Sequence, residues 1–269
     1  MGIMILGALL IGLTLGLMGS GGSILTVPVL VYVLGHHGKV AIAESLAIVG
    51  GIAMVGLIPY ARARLIDWHS VAYFGIPGMA GTWLGAWIAN FVPASIQLVL
   101  FAIVMLGAAV MMFRGRVAPS VESHQRQALW KIVPEGLLVG IITGLVGVGG
   151  GFLIVPALVI LGGLPMRSAV GTSLVIICLK SLSGFIKYMG VLAAVHATID
   201  TRTVVLFVVL GIIGSMMGQA INQHLDQRLL KKTFAVFLVM MGVFVLTKEL
   251  PHLANASPGS AVAGQASHG

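Results

Sequence analysis

The sequence has very few charged residues for its length. Of its 269 residues only 8% are Asp, Glu, Lys or Arg, whereas an ordinary soluble domain carries about a quarter. Hydrophobic residues make up 58% of the chain and its mean hydropathy is +1.09. A soluble fold of this size lacks the charges to cover its surface, which excludes soluble enzymes, extracellular domains and nucleic-acid-binding domains. The composition, with apolar runs of about 20 residues, predicts an all-α polytopic membrane protein.

Cysteine and acidic residues are also scarce. The single cysteine, Cys178, excludes an internal disulfide and lies in an apolar run, where a buried small side chain is expected. Seven Asp and Glu stand against 15 Lys and Arg, which leaves a formal net charge of +8. In a membrane protein such a surplus is typical of cytoplasmic loops rather than of a nucleic-acid partner. The scattered histidines indicate no metal site, and no cofactor or catalytic residue is expected.

The chain contains an internal duplication. The segment GLMGSGGSILTVPVLV at 16–31 matches GLVGVGGGFLIVPALV at 144–159, with ten of 16 positions identical. This register, which pairs Gly16 with Gly144, continues without a gap and aligns Ser45 with Ser173. Two homologous halves therefore make up most of the protein.

A second match, of 78–89 with 211–222, extends the duplication towards the C-terminus in a slightly shifted register that pairs Gly78 with Gly211. Between the halves lies a polar stretch that contains several Lys and Arg. The last residues are small, polar and rich in Gly, Ala and Ser, a composition typical of disorder. The predicted domains are a first membrane repeat at 1–113, a cytoplasmic linker at 114–131, a second membrane repeat at 132–250 and a disordered tail at 251–269.

Each half follows the same plan, a Gly-broken pair of half-helices and then three transmembrane helices. The Gly-rich breaks lie at 19–23 and 147–151, and a short apolar segment with an early proline, Pro28 or Pro156, follows each one. Proline is tolerated in the first turn of a helix, so the prolines predict helices that start just after the glycines. The full-length spans are predicted at 40–60, 72–90, 95–113, 168–188, 203–222 and 231–249.

Two threadings of the Gly-rich break are open. A single broken helix that crosses the membrane once gives four crossings per half and parallel repeats. A hairpin of two half-helices leaves three crossings per half and inverted repeats. The inverted arrangement places ten loop Lys and Arg inside and three outside, whereas the parallel one gives eight and five. Because basic loop residues collect on the cytoplasmic side, the count favours inverted repeats with both chain ends outside.

The paired breaks are a candidate anion site. Non-helical backbone at membrane depth is tolerated only where it lines a cavity or is buried in protein. Helix N-termini after Gly22 and Gly150 would direct N–H groups and partial positive charge at a common centre near the midplane. Glycine there permits close approach of the backbone to a ligand. Tight helix packing is the alternative interpretation of the glycines. The recurrence of the Gly clusters together with a proline in both halves favours the anion site.

Polar side chains extend this candidate site. The hydroxyls of Ser45 and Ser173 either donate to an anion or bond back to a helix carbonyl. Lys180 lies well inside its span, which starts near position 168, at a depth of roughly 18 Å in a hydrocarbon layer of about 30 Å. Charged residues at such depth are functional candidates, and Glu44 is a candidate ion-pair partner for Lys180. The predicted substrate-binding residues are Gly21, Gly22, Ser23, Ser45, Gly149, Gly150, Gly151, Thr172, Ser173 and Lys180.

These motifs, together with MRSAVGTSLVII downstream and the duplicated layout, resemble the sulfite exporter TauE/SafE family of membrane permeases over about residues 3–250. The resemblance implies transport of small sulfur-containing or organic anions, such as sulfite, sulfoacetate or other sulfonates. It carries site roles onto Gly21, Gly22, Gly149, Gly150, Thr172 and Ser173. The chain departs from the family pattern at Ala43-Glu44-Ser45, where Gly-Thr-Ser is expected, and Glu44 is therefore also a candidate for proton coupling.

A secondary transporter of a small anion, driven by membrane potential or a proton gradient, is the leading functional hypothesis. The alternatives are an anion channel and a carrier of another organic anion or of a lipid-linked phosphate. An intramembrane enzyme is disfavoured, because no histidine is placed as a base for Ser20. The expected setting is a bacterial or archaeal cytoplasmic membrane, with the bilayer and a small anion as partners and a homo-oligomer left open.

Overall fold

The computed structural model describes residues 2–19, 21–114, 129–146, 151–160, 163–194, 197–222 and 224–255. Within these ranges the chain consists of helices and short connections. Four helices are long and apolar enough to cross a membrane, judged by length and composition: Gly38–Arg62, Met166–Ala193, Thr201–Asn222 and Lys232–Leu250. The prediction of an all-helical fold with membrane-spanning helices is confirmed.

The helices follow the predicted segments closely. In the first half they are α1 (Gly2–Met18), α2 (Gly21–Pro28) with a π-helical turn (Val29–Val33), α3 (Gly38–Arg62), α4 (Trp68–Ser70) with a π-helical turn (Val71–Gly75), α5 (Ile76–Ile88) with a 3₁₀ turn (Ala89–Phe91), and α6 (Ala94–Arg114). In the second half they are α7 (Leu129–Val146), α8 (Gly151–Ile160), α9 (Met166–Ala194), α10 (Thr201–Asn222) and α11 (Gln227–Asn255). Helix α11 continues through Asn255, into the start of the predicted tail, and the rest of the tail and most of the linker lie outside the described residues.

The two prolines lie deeper in their helices than predicted. Helices α2 and α8 begin just after the glycines, but Pro28 is the last residue of α2 and Pro156 is the sixth of α8. Proline lacks the N–H that an α-helix interior needs and crowds the preceding turn. After Pro28 the chain continues as the π-helical turn, a local change of winding that accommodates the lost hydrogen bond.

Helices α1 and α2 form a hairpin. Gly19, which follows α1, has a φ of 72°, a left-handed conformation that glycine adopts without strain. Helix α2 then runs back along α1. The evidence is the proximity of Gly22 to Ile11, since a Cβ on Gly22 would lie 2.3 Å from the Ile11 carbonyl oxygen. A Cβ on Gly7 would lie 3.3 Å from Val29 Cγ1. A single broken helix would carry Val29 away from Gly7, so the first half follows the hairpin threading.

The first helix of each half packs against the other half. Helix α1 runs parallel to α10, and α7 runs parallel to α5 in the same way. The backbone contacts that define the two pairs are Gly12 to Gly211, Gly16 to Ser215, Gly140 to Gly78, and Gly144 to Thr82. These contacts are repeat-related, since their members correspond in the registers of the two sequence matches. Glycine at these positions lets the two helix backbones touch.

The repeat-related helices α3 and α9 pack together and run antiparallel. From the start of α3 to its end, the neighbouring residues are Leu46 and Gly184, Gly50 and Ser181, and Tyr60 and Gly171. The C-terminus of each helix thus lies beside the N-terminus of the other. We call these two regions the Tyr60 end, after the tyrosine near the C-terminus of α3, and the Tyr188 end, after the tyrosine near the C-terminus of α9.

Candidate functional site

The tip of the first hairpin packs against the start of α9. A Cβ on Gly19 would lie 2.9 Å from Val170 Cα and 2.8 Å from Ser173 Oγ. The Ser173 hydroxyl lies 2.8 Å from the Val170 carbonyl oxygen and 3.5 Å from that of Gly19. Ser45 likewise donates to the Ile42 carbonyl at 2.9 Å. Both predicted serines are buried and bond back to their own helices, and Ser173 also borders the hairpin tip.

The other predicted residues of the Gly-rich breaks lie at the start of α2 and α8 where the structure describes them. Gly22 fits between Ile11 and Leu15 of α1, where a Cβ would collide with both. Ser23 is fully buried in the next turn. Gly21 and Gly151 begin α2 and α8, whereas Gly149 and Gly150 lie outside the described residues.

The ends of α1 and α7 lie beside opposite ends of α9. The end of α1 lies beside Val170, near the start of α9. The end of α7 lies near the other end of α9, because the Tyr188 hydroxyl bonds to the Leu145 carbonyl oxygen. Residues 170 and 188 are about 27 Å apart along a helix that rises about 1.5 Å per residue. Helices α2 and α8 nevertheless contact each other, and residues 147–150 lie outside the described residues, so the shared midplane site at the helix N-termini stays a prediction.

A cavity of about 380 Å³ opens at the Tyr60 end, next to the hairpin tip. Its lining residues come from α3, α9 and α10 and the connection after α3: Pro59, Tyr60, Ala63, Leu65, Arg167, Gln219 and Asn222. The Gln219 amide donates to the Gly56 carbonyl at 2.6 Å, and the Asn222 amide donates to the Leu17 carbonyl. The cavity therefore combines a guanidinium group with two amides that are held by backbone carbonyls.

Two repeat-related tyrosines mark the ends of the bundle. The Tyr60 hydroxyl donates to the Gly16 carbonyl at 3.3 Å, and the Tyr188 hydroxyl donates to the Leu145 carbonyl at the same distance. Each bond caps a carbonyl near the end of α1 or α7. Tyr60 and Tyr188 correspond in the same register that pairs Ser45 with Ser173. That register therefore contained the signal for the tyrosine pair, which the sequence-based prediction missed.

Glu44 and Thr172 are repeat-related and make the same contact at opposite ends. Thr172 Oγ1 accepts the Asp67 N–H at 2.9 Å, and Glu44 Oε1 accepts the Asp200 N–H at 2.8 Å. Asp67 caps the start of α4 and Asp200 the start of α10, and the hydrogen bonds from Thr203 lower the pKa of the exposed Asp200 carboxyl. Thr172 and Glu44 therefore tie the second turns of α9 and α3 to the loops of the opposite repeat.

The candidate ion pair between Glu44 and Lys180 is absent. The second carboxylate oxygen of Glu44 lies 2.5 Å from Nδ1 of His36, and the Glu44 side chain is 0% exposed. The prediction failed because a buried carboxylate needs compensating donors, and here an imidazole and a backbone N–H supply them. The contact with the Asp200 N–H could not be read from the sequence, because that group reaches Glu44 only through the tertiary fold.

Lys180 is buried near the middle of α9, away from the hairpin tip. Its side chain is 0% exposed, and Nζ has no hydrogen-bond partner among the described residues. The ammonium lies 4.9 Å from the centre of the Phe74 ring, a cation–π contact. A Cβ on Gly78 would lie 2.1 Å from Lys180 Cε, so the glycine makes room for the side chain. A buried amine of this kind stays a candidate for binding an anion.

The Tyr188 end has a packed apolar cluster. Two of its residues correspond, in the repeat register, to residues that line the cavity at the Tyr60 end. Ala86 and Ala89 correspond to Gln219 and Asn222 in the register that pairs Gly78 with Gly211. The buried cluster comprises Ile42, Ala43, Leu46, Ala86, Ala89, Tyr188, Val191 and Leu192. The two repeat-related ends therefore differ, with a polar cavity at one and a packed apolar cluster at the other.

Sequence comparisons find relatives of this chain among membrane transporter proteins. A family profile described as "Sulfite exporter TauE/SafE" matches residues 4–245. A probable membrane transporter protein of Xylella fastidiosa is 33% identical over 246 residues, which cover 89% of this chain and 92% of the relative. One from Methanocaldococcus jannaschii is 26% identical, covering 88% and 94%, and YunE of Bacillus subtilis is 25% identical, covering 89% and 95%. No solved structure matches the chain.

Proposed function

Because the chain belongs to the sulfite exporter TauE/SafE family of membrane transporters, we propose that it is a secondary transporter of a small anion, either a sulfur oxyanion or an organosulfonate such as sulfite or sulfoacetate. The family membership confirms the resemblance carried by the two Gly-rich motifs. The relatives' names state membrane transport and no substrate. The sulfur chemistry of the substrate is therefore proposed from the family description, and its anionic charge from the chemistry of the cavity.

The cavity beside Tyr60 is the observation that carries the proposal. A guanidinium presents a planar fork of donors that matches the oxygens of sulfite, sulfonate or carboxylate. Arg167 places such a group in the cavity wall. An amide has two N–H groups, and Asn222 donates one of them to the Leu17 carbonyl. Among the described residues no acceptor takes the second N–H, which can donate to a ligand. These donors suit an oxyanion and offer no carboxylate to a cation.

Alternating access explains why the two ends differ. The antiparallel packing of α3 and α9 and the exchange of α1 and α7 between the halves support inverted repeats. The basic residues Arg62, Arg64 and Arg167 gather at the Tyr60 end, which supports a cytoplasmic position for that end. In this arrangement the described conformation is open at the cytoplasmic end and closed by the apolar cluster at the outer end. Lys180, midway along α9, supplies positive charge between the two ends.

A flux panel in proteoliposomes tests the proposed function. The purified protein is reconstituted, and uptake of radiolabelled sulfite, sulfoacetate, acetate and a neutral solute is measured against protein-free vesicles. We expect uptake of sulfite or sulfoacetate that is inhibited by an excess of the same unlabelled anion. Counterflow with the membrane potential clamped at zero separates a carrier from a channel, because only a carrier couples the exit of unlabelled anion to the uphill entry of labelled anion. Uptake restricted to the neutral solute would overturn the anion proposal.

Variants of Arg167 test the cavity itself. Arg167→Gln removes the guanidinium and is expected to raise the KM for the anion by about tenfold, which corresponds to the loss of about 1.4 kcal/mol of binding. Arg62→Gln is the matched control. Arg62 is a basic residue at the same end of the bundle, but it is exposed and does not line the cavity. Equal effects of the two variants would show that only the general positive charge matters and would refute the site.

A further inference from the structure

We infer that His36 and Glu44 form a proton-binding site that couples anion movement to a proton gradient. The inference rests on the proposed anion transport and adds to it the ion that drives the transport. It starts from a buried carboxylate whose repeat-related counterpart, Thr172, is neutral.

The comparison with Thr172 separates the structural role of Glu44 from its chemical role. Both side chains accept the N–H of a capping aspartate in the opposite repeat. A hydroxyl is sufficient for that tie, as Thr172 demonstrates at the Tyr60 end. A carboxylate with 0% exposure costs free energy unless it is compensated. What Glu44 adds is therefore an ionisable group and its 2.5 Å contact with His36.

His36 gives this buried group access to water. It lies in the connection between the π-helical turn after α2 and the start of α3, and its side chain is 20% exposed. Histidine is the side chain that changes charge near neutral pH. With a neutral imidazole the pair has a net charge of −1, and with one more proton it becomes an imidazolium–carboxylate pair with a net charge of zero.

The other charged groups at this end are engaged elsewhere or exposed. Lys39 donates to the Asn90 carbonyl, and the Lys187 ammonium lies 4.4 Å from the centre of the Trp83 ring. The Asp200 carboxylate accepts from Thr203 and from the Arg202 N–H, and its charge also interacts with His36. In the described part of the chain, the remaining groups at this end are the exposed His37, Arg202 and Lys248 and the Tyr32–Glu249 hydrogen bond. Among the described residues, His36 is the titratable side chain bonded to Glu44.

The position of the pair links protonation to the anion. Glu44 lies between Ala43 and Ser45, in the turn of α3 that contributes Ile42, Ala43 and Leu46 to the apolar cluster at the Tyr188 end. An anion that passes this end meets a net charge of −1 when the pair is deprotonated, and that charge repels it. Binding of one proton removes the repulsion, so the anion and the proton favour each other's presence.

The test is accumulation driven by pH in proteoliposomes with the membrane potential clamped at zero. Radiolabelled sulfoacetate is the probe, since its charge does not change between about pH 6 and about pH 8, and radiolabelled sulfite is used in a parallel series. One proton moved per anion allows about tenfold accumulation across a gradient of one pH unit. We expect the wild type to accumulate the anion, and Glu44→Gln and Glu44→Thr to exchange it by counterflow without accumulating it.

The variants keep the result interpretable. Glu44→Thr restores the residue type of position 172 and so retains an acceptor for the Asp200 N–H if Glu44→Gln does not fold. His36→Gln is expected to lose accumulation as Glu44→Thr does, whereas His37→Gln, an exposed neighbour, behaves as the wild type. Three results would overturn the inference. Glu44→Thr could still accumulate the anion, or His36→Gln and His37→Gln could lose accumulation equally. The wild type could also exchange the anion without any accumulation driven by the pH gradient. Absence of any anion flux in the wild type would instead overturn the proposed function.

Discussion

Replacing Gly16 by alanine should separate α1 from α10 and destabilise the protein. A Cβ at Gly16 would lie 2.0 Å from the carbonyl oxygen of Ser215, whereas real Cβ contacts stay beyond 3.0 Å. The two backbones must therefore move apart by about 1 Å, because neither contains a flexible side chain at this point that can give way. Overpacking of this kind costs about 3 kcal/mol, and the better helix propensity of alanine offsets about 1 kcal/mol. A net loss of about 2 kcal/mol lowers the ratio of folded to unfolded protein by about 30-fold.

The assay is unfolding in mixed micelles with increasing SDS, followed by far-UV circular dichroism. Gly144→Ala, the repeat-related substitution, is expected to shift the midpoint in the same direction, since its Cβ would lie 2.1 Å from the Thr82 carbonyl oxygen. Gly107→Ala in α6 is the matched control, because no atom of the described residues lies within 4 Å of its added Cβ, and it should be neutral or slightly stabilising. A midpoint for Gly16→Ala equal to that of the wild type would refute the direct backbone contact.

Three further predictions use the same preparations. Lys180→Met should fold, because its amine gives up no hydrogen bond to a described residue, and should raise the transport KM by about tenfold relative to Lys187→Met; an unchanged KM would exclude anion binding by Lys180. The pKa of Asp200 is lowered in the folded protein, so its contribution to stability is present above about pH 3.9 and is lost as the pH falls through the folded pKa. Thermal unfolding should accordingly show a weaker acid dependence for Asp200→Asn than for the wild type, and identical profiles would count against the capping role. Tyr60→Phe should lose about 1 kcal/mol in the SDS assay, because it removes the hydrogen bond to the Gly16 carbonyl, and an unshifted midpoint would exclude that bond.

The helices were predictable because the length of each apolar run in the sequence predicts the length of a membrane-spanning helix. The spans at 40–60 and 203–222 are found as α3 (Gly38–Arg62) and α10 (Thr201–Asn222). The repeat register was predictable for a similar reason, since it is a property of the sequence alone. The register also aligns Tyr60 with Tyr188. The role of these tyrosines could not be predicted, because the carbonyls that accept their hydrogen bonds are known only from the fold.

The arrangement of the site was less accessible, because it depends on which helices are neighbours. Hydropathy places α1 in the membrane, yet only the packed fold shows that it lies beside α10 rather than α9. Charge alone suggested Lys180 as the partner of Glu44, whereas the actual donors are His36 and a backbone N–H from the other repeat. The lining of the cavity by Gln219 and Asn222 likewise follows from the tertiary fold, since polar residues near a helix end are usually interfacial.

The exchange of first helices between the halves imposes an order on biosynthesis. Gly12 in α1 is synthesised long before Gly211, the residue of α10 that it contacts. At about 5–20 residues per second, the roughly 200 residues between them take about 10 to 40 s. During this time the glycine face of α1 faces lipid, or an insertion chaperone, in place of α10. Helix α7 meets no such delay, because α5 has already been made when α7 enters the membrane. The final assembly of the first repeat therefore waits for the last part of the second, and quality control in the membrane must tolerate an unpaired α1 until then.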